Sequence, residues 1–516
     1  MKNTFKRVFA LLLALVMVLS LAACGGKEDT KDPAAEGGEK QEGAGKITIL
    51  YPGEETPRFK EFLENEFAAK IKEDLGLEIE MIWLPWDQYW TQKEIMLSAG
   101  DEIDLYWDGL ADLSTFVNKH QARPLDDLIQ TYGQDMLKVI PMSWLEGGKM
   151  NGEIYGIPSA YGPSSAQFQL VCVRQDLLEG VGMTEIKTPE DLVEFATKVK
   201  EQYPDMKGPA DVIFKPLTRA YQDEQLTWIS GNEIAVLGED SGKVYSYYET
   251  ETFQKVAQFN QAMFDKGLYS DLLSTNYNER DSRMQQGLYI WVEGSLGKDT
   301  EIIGTVQANA PEAELKTYLM APEDDKYIVG AGGEVLCIPY SAANPEGAMK
   351  FINWLYSSQE NYLVALYGVE GKDYNLVDGR IERICTEDFF YEWMFRNQNY
   401  SVFGSDVSDE YIEAYMNWDK DAKTSSAMGF TFNNENVVMI ETAILEVIEN
   451  DMSVVRNGFV NFDEHYAAVV QKLKDAGIDE YIAEVQRQYD EFLKNNGKYS
   501  TNNWSPAIGR APFLLR

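Results

Sequence analysis

Two rhythms of apolar and polar positions follow each other at the start of the folded region. "KITILYPG" (46–53) reads as a strand. In "PRFKEFLENEFAAKIKEDLG", Phe59, Phe62, Phe67, Ile71 and Leu75 recur near the helical period and Gly76 supplies a stop. "LEIEMIWLP" then alternates Leu77, Ile79 and Met81 against Glu78 and Glu80, a strand with one buried face. Strand, helix, strand is the unit of a parallel sheet. The pattern continues with "TPEDLVEFATKVKEQYP", where Thr188 is an N-cap, Pro189 opens the helix, and Leu192, Phe195, Ala196 and Val199 share a face. Asn344 and Pro345 repeat the device before Phe351, Ile352 and Leu355. The last amphipathic segment, "DEYIAEVQRQYDEFLKNN", carries Ile482, Val485, Tyr489 and Phe492 at three-four-three spacing. No repeat of about 20–50 residues is visible, which argues against a solenoid. The class is α/β.

A chain of 516 residues that is 44% hydrophobic and 12% aromatic buries two or more lobes. Turn-rich stretches without a regular period, "SAYGPSSAQ" (159–167) and "MAPEDDKYIVGAGGE" (320–334), are candidate crossings between two lobes.

The first 24 residues add a destination. A basic start with Lys2, Lys6 and Arg7, an apolar run from Val8 to Val18 and small residues ending at Cys24 form a secretory signal, too short for a membrane span and without a positive flank after it. "LAAC" resembles the lipobox of bacterial lipoproteins, in which cleavage falls before the cysteine and the thiol is lipidated; the alternative is ordinary cleavage leaving a free thiol. Residues 25–45 hold no aliphatic side chain larger than alanine and read as a tether. Cleavage before Cys24 removes three basic groups and no acid, leaving 43 basic against 84 acidic side chains. A balance that acidic argues against a nucleic-acid partner and suits a soluble surface protein. Cys172 and Cys337 sit in apolar strand-like runs as small hydrophobes; with Cys385 they suggest no disulfide framework, one pair remaining open.

The catalytic inventory is thin. Two histidines far apart, His120 and His465, exclude a multi-histidine metal centre, and no GxSxG elbow, P-loop or dinucleotide fingerprint occurs. No metal and no cofactor are expected. Acids such as Asp101, Glu102, Asp104 and Asp108 keep an exported glycosidase in view, since two carboxyls are the minimum for glycoside cleavage. In a chain with 84 acids such clusters arise easily. The stronger signal is aromatic residues beside polar ones at strand ends: Tyr106, Trp107, Asp108 and Gly109 in "IDLYWDG", and Trp291 with Glu293 in "GLYIWVEGS". Ligands collect at the carboxyl ends of parallel strands. A pyranose offers an apolar C–H face and a rim of hydroxyls, which indoles and carboxylates suit. In "IWLPWDQYW", Trp83 between Ile82 and Leu84 reads as core, whereas Pro85, Asp87 and Gln88 mark a loop that leaves Trp86, and with it Trp90, as candidates to face a cleft.

"DLYWDG", "GKMNGEIYGIPSAYG", "RQDLLEGVGM" before "TPEDLVEFATKV", "GLYIWVEGS" and "NPEGAMKFINWLYSSQENYLVALYGVEGKDY" follow one another in an order that resembles the family 1 extracellular solute-binding lipoproteins of ABC importers. The tail from "MGFTFNNENVV" resembles a C-terminal domain of unknown function found in a Firmicutes subgroup. The resemblance implies a two-lobed periplasmic-binding-protein-like fold of type 2 with a hinge and a helical C-terminal extension. It divides the chain into a signal at 1–23, lipidated Cys24 and tether at 24–45, a first lobe of 46–162 plus about 312–358, and a second of 163–311 plus about 359–516. Site residues carried over are Tyr51 to Glu54, Trp107 and Asp108, the hinge-side segment Tyr161 to Ser165, Trp291 with Glu293, and the backbone at Gly332 and Gly333; Trp86, Trp228 and Trp393 are further aromatic candidates. The implied partners are an oligosaccharide and the permease subunits of an ABC transporter, for a monomer held on the extracellular membrane face by lipid alone. A peptide is the alternative ligand, a glycoside hydrolase the alternative activity, and a surface adhesin a third class.

Overall fold

The computed structural model of the chain describes residues 45–140, 142–159, 163–230, 232–269, 277–329 and 333–496. The expected signal, Cys24 and the tether up to residue 44 lie outside these residues. Strand β1 (Gly45–Pro52) runs parallel to β2 (Leu77–Leu84) in unbroken register from Gly45 opposite Leu77 to Pro52 opposite Leu84. The helical stretch between them starts after Thr56, whose hydroxyl accepts the Phe59 N–H, and stops at Gly76 with φ 66°. Helix α1 (Trp86–Ala99) follows β2 directly, β3 (Leu105–Gly109) pairs in parallel with the other side of β1, and α2 (Leu113–Asn118) follows β3. A two-residue hairpin then joins Lys149–Met150 to Glu153–Ile154 through Asn151 (φ 53°) and Gly152 (φ 92°), the left-handed pair such a turn requires. A Cβ on Gly148 would stand 2.0 Å from the Gly156 carbonyl oxygen, so "GKMNGEIYG" is built around this close approach before β4 (Ile157–Pro158).

The chain then leaves for two further three-stranded sheets. It passes through β5 (Leu170–Arg174), α3 (Pro189–Gln202), α4 (Lys215–Tyr221), the antiparallel β6 (Leu226–Trp228), β7 (Ala235–Gly238) and β8 (Val244–Ser246), and α5 (Glu251–Asp265). Thr188 caps α3 in a reciprocal box with Asp191, as its spacing predicts. Strands β9 (Trp291–Gly294) and β10 (Leu315–Leu319) flank β5, both antiparallel to it. The chain returns in β11 (Glu334–Cys337), antiparallel to both β3 and β4, which completes a first sheet of order β2-β1-β3-β11-β4. Helices α6 (Pro345–Leu355) and α7 (Gln359–Tyr367) follow, then α8 (Glu392–Phe395), α9 (Val438–Val447), α10 (Phe462–Asp475) and α11 (Ile478–Asn496). Cys172 and Cys337 are buried free thiols on β5 and β11, as their apolar contexts predict.

Helices over sheets, with one core under the first sheet and separate cores under the others, bear out the α/β, two-lobed expectation, but two expected boundaries move. The segment from about 312 was expected in the first lobe; β10 instead extends the β5 sheet, and first-core residues resume only at Val335. The segment from about 359 was expected in the second lobe, yet Tyr362, Leu366, Phe389, Phe390 and Phe395 pack in the first core with Ile49, Phe59 and Phe62. An apolar stripe states that a helix buries a face and not which sheet receives it. Residues from Ala427 join the core around β6–β8, where Val485 and Tyr489 of α11 are buried.

Three connections therefore pass between the cores, and they are tied together. Ser164 N–H donates to Asp419 at 2.7 Å and Ser165 N–H at 3.1 Å, while Trp418 Nε1 donates to the Ser165 carbonyl at 2.9 Å. Tyr327 and Ile328 pair in parallel with Lys423 and Thr424. From α4 the buried Arg219 donates to the carbonyls of Met320 (2.7 Å), Ala321 (3.0 Å), Asp324 (2.6 Å) and Asp325 (3.1 Å). Both crossings expected from the sequence connect the first sheet to the others; the third connection, about 403–425, lies between Val402 packed on the first core and Ala427 of the core around β6–β8.

Candidate functional site

The carboxyl ends of β1, β2 and β3 bring Tyr51, Trp83, Trp107 and Asp108 to one edge of the first sheet, the place where parallel α/β sheets hold ligands. Trp83 stands edge-on to Tyr51 (5.2 Å) and Phe59 (5.3 Å) and is packing, as its apolar neighbours predict. The buried Tyr51 accepts the Tyr391 N–H on its hydroxyl at 2.6 Å and stacks on the Tyr391 ring at 5.4 Å. Tyr391 stacks on Trp393 at 5.6 Å, and Trp393 meets Trp107 edge-on at 5.1 Å. Gly53, at φ 112°, lets the chain pass here, since a Cβ on it would lie 2.7 Å from the Tyr391 hydroxyl.

Trp86 is not in a loop. Pro85 precedes the first turn of α1 rather than interrupting the chain, and a helix starting at Trp86 sets Trp86 and Trp90 four residues apart on one face. Trp86 lies 6.0 Å from each of Trp107, Tyr391 and Trp393, and Trp90 lies 5.1 Å from Trp107. Trp107 is 7% exposed, Trp86 37% and Trp90 45%. The group is a shelf of rings with a buried floor and an open rim.

Polar groups lie at the edge of this shelf. Lys93 of α1 and Asp108 are both buried and paired at 2.7 Å, the ammonium 4.4 Å above the Trp90 ring. Burial raises the Asp108 carboxyl, against the pull of Lys93 and of the Gly109 N–H that it accepts at 2.8 Å. Half-buried Asp112, one helical turn on, is pushed up to about 6 by burial and then by the neighbouring Asp108 charge. Of the residues expected here, exposed Glu54 occupies the loop after β1. Tyr391, Lys93 and Asp112 were not anticipated; the aromatic run "FFYEWMF" was the available signal for the first.

The expectations for the second lobe fare differently. Trp291 is fully buried and packs on Phe195 at 6.2 Å, so it is core and presents no face to a cleft. The parallel-sheet rule that selected it does not apply, because β9 runs antiparallel to β5. Glu293 is buried with its carboxylate accepting the N–H groups of Phe214 (2.7 Å) and Lys215 (3.2 Å) at the start of α4. Its own N–H donates to buried Asp211, which burial pushes up to about 7 against the attraction of Arg280 at 3.2 Å. Half-buried Trp228 packs on Tyr247 at 4.7 Å and Phe214 at 6.0 Å. Ser165 is buried in the tie to Asp419, and the Gly333 carbonyl accepts the Leu110 N–H at 2.8 Å. Tyr161 and Gly332 lie outside the described residues. Tyr51, Trp86, Trp107, Asp108 and Trp393 thus converge in one place; Trp291, Glu293, Trp228 and Ser165 do not join them.

Residues 53–362, well over half of the chain, match the family described as bacterial extracellular solute-binding protein. The chain belongs to that family. In this solute-binding protein a second match, to a domain of unknown function (DUF3502), covers residues 426–494. A protein of Streptococcus pneumoniae serotype 4 named carbohydrate ABC transporter substrate-binding protein is 25% identical to it over 516 residues, covering 96% of this chain and all of the relative. The fructooligosaccharide ABC transporter substrate-binding protein FusA of the same organism is 24% identical over 295 residues, about half of each chain. Among solved structures, the N-glycan transport solute binding protein NgtS of Streptococcus pneumoniae superposes with a TM-score of 0.73 at 22% identity, over 88% of this chain and 100% of that one. Its complex with Man5GlcNAc gives 0.70 over 87% and 99%. These likenesses establish a shared solute-binding-protein fold.

Proposed function

We propose that the protein captures an oligosaccharide outside the cell and delivers it to the permease subunits of an ABC transporter. The observation that carries this reading is the shelf of Trp86, Trp107, Tyr391 and Trp393, whose flat apolar faces suit the C–H face of pyranose rings. Asp112 and the Asp108–Lys93 pair beside it suit the hydroxyl rim. The names of the relatives, for carbohydrate transport, N-glycans and fructooligosaccharides, support the same class. Two lobes that close on a ligand need no catalytic group, only a closed state that binds better with ligand than without it. Of the acids expected at the site, Asp108 is held by Lys93 and Glu293 by backbone N–H groups, so neither is free to hold the amine of a peptide. The same engagement argues against a hydrolase built on those two acids. In this reading the mature protein is a monomer, works without a cofactor, and is held on the extracellular membrane face by lipid on Cys24.

A thermal-shift screen of the chain lacking residues 1–44 against oligosaccharides and peptides, with product analysis of each mixture, tests the proposal. A ligand at one hundred times its dissociation constant stabilises by about 2.7 kcal/mol. A shift with an intact glycan supports transport; a cleaved glycan or shifts with peptides alone overturn it.

A further inference from the structure

The C-terminal segment that packs on the second core also reaches back to the first lobe. Helix α2 starts just beyond the strand that carries Trp107 and Asp108 and ends at Asn118. The Asn118 amide donates to the side-chain oxygens of both Asn433, at 3.0 Å, and Asn434, at 3.1 Å. Both acceptors are held from behind. Gln488 of α11 accepts the Asn433 N–H at 2.9 Å and donates to its carbonyl at 2.8 Å. The buried Glu441 of α9 accepts the Asn434 amide at 2.7 Å, together with Asn232 at 2.9 Å and the Tyr481 hydroxyl at 2.9 Å. A carboxylate that takes the amide nitrogen of Asn434 leaves its oxygen facing outward. The Asn433 oxygen, which also accepts the Glu435 N–H at 3.0 Å, is turned the same way. One side therefore presents two oriented acceptors and the other a single donor.

We propose that Asn118, Asn433 and Asn434 form a latch across the cleft, and that the C-terminal domain of unknown function is the jaw that holds the closed state. The assignment rests on the reading of this chain as a binding protein that works by closure. Neutral amides suit a reversible contact, because they exchange protein partners for water at small net free energy. A buried ion pair in the same place would lose hydration at every closure. The position also couples the latch to the ligand, since α2 leads from the aromatic shelf to the contact.

The test uses the mature chain without ligand, with Cys24 and Cys385 replaced by serine and spin labels on Thr91→Cys and Met439→Cys, exposed positions on the two sides of the cleft. Pulsed electron resonance reads the distance distribution between them. Asn118→Ala and Asn433→Ala are each expected to reduce the ratio of short-distance to long-distance molecules about fivefold per hydrogen bond lost. Asn118→Asp, which faces a carboxylate to two acceptor oxygens, opens the molecule further. The Asn118→Ala, Asn433→Ala pair adds little to Asn118→Ala alone, because losing the Asn118 amide already removes its bonds to both Asn433 and Asn434. The unfolding midpoint stays within about 1 °C in each case, which a merely structural pair would not allow. An unchanged distribution in both alanine variants, no short-distance population in the parent, or a shift matched by a comparable loss of stability overturns the latch. Because no ligand is present, a failed glycan screen leaves this result standing, and a failed latch leaves the glycan reading standing.

Discussion

Trp291 and Trp86 were both read from the sequence as ligand contacts, and truncating each separates core from site. Trp291 is fully buried among Val173, Phe195, Ile213 and Leu217. A buried indole covers about 150–250 Å², which at roughly 25 cal/mol per Å² is an upper figure near 4–6 kcal/mol. Large-to-small changes at such sites cost about 3–5 kcal/mol. For a cooperative unit the size of one lobe, each kcal/mol moves the midpoint by about 2–4 °C, so Trp291→Ala should lower it by about 6–20 °C. Trp86 is 37% exposed at the first position of α1, and its truncation should cost only about 1–2 kcal/mol of stability. As an anchor on the shelf rim it should weaken ligand binding by about 1–3 kcal/mol. Thermal and urea unfolding followed by circular dichroism, with calorimetric titration of the glycan found in the screen, measures both quantities on each variant. Loss of binding in Trp291→Ala with a midpoint shift of less than about 1 °C, or unchanged affinity in Trp86→Ala, would overturn the division of these two tryptophans into core and site.

Lys93→Met strands the buried Asp108 carboxylate and should destabilise by about 3–5 kcal/mol, most of it recovered when Asp108→Leu is added; urea midpoints of the single and double variants decide this. Asp112, raised from 3.8 to about 6, accepts hydroxyls as a carboxylate, so ligand affinity should tighten as pH rises through about 6 and level off above; titrations of the parent and of Asp112→Asn, in which the dependence disappears, check it. The sign for the fold is opposite: a carboxyl raised by folding favours the protonated native state, so its contribution is present below about 4 and is lost as pH rises toward about 6. The groups that bias it are Asp108, Lys93, Glu94 and Glu441. Cys24→Ser should move the protein from the membrane fraction to the soluble one and abolish incorporation of labelled palmitate, read by fractionation and autoradiography.

Much of the local architecture was legible because its causes are local. The Thr188 and Asn344 caps, the Gly76 stop, the alternation in β2 and the burial of Cys172 and Cys337 each follow from residues within a turn of one another. Convergence at the shelf was legible only in part. Strand ends located Tyr51, Trp107 and Asp108, but Tyr391 reaches them from about 340 residues away, and no periodicity encodes that meeting. Pro85 reads as a breaker and puts Trp86 in a loop, whereas proline beside a helix start is compatible with the helix that follows. Trp291 and Glu293 are buried instead of facing a cleft, a difference the sequence does not carry because a strand's text does not state whether its neighbours run parallel or antiparallel.

The sequence by itself determined the kind of elements, their caps, the α/β class and the aromatic-acidic character of the strand ends, all set by spacing and side-chain chemistry over a few residues. The tertiary structure decided which lobe received 312–319 and 362–395, which tryptophans became core, and where Asn118 meets Asn433 and Asn434. Those outcomes depend on which apolar faces exclude water together across hundreds of residues, and that choice is made by packing in three dimensions rather than by any local period.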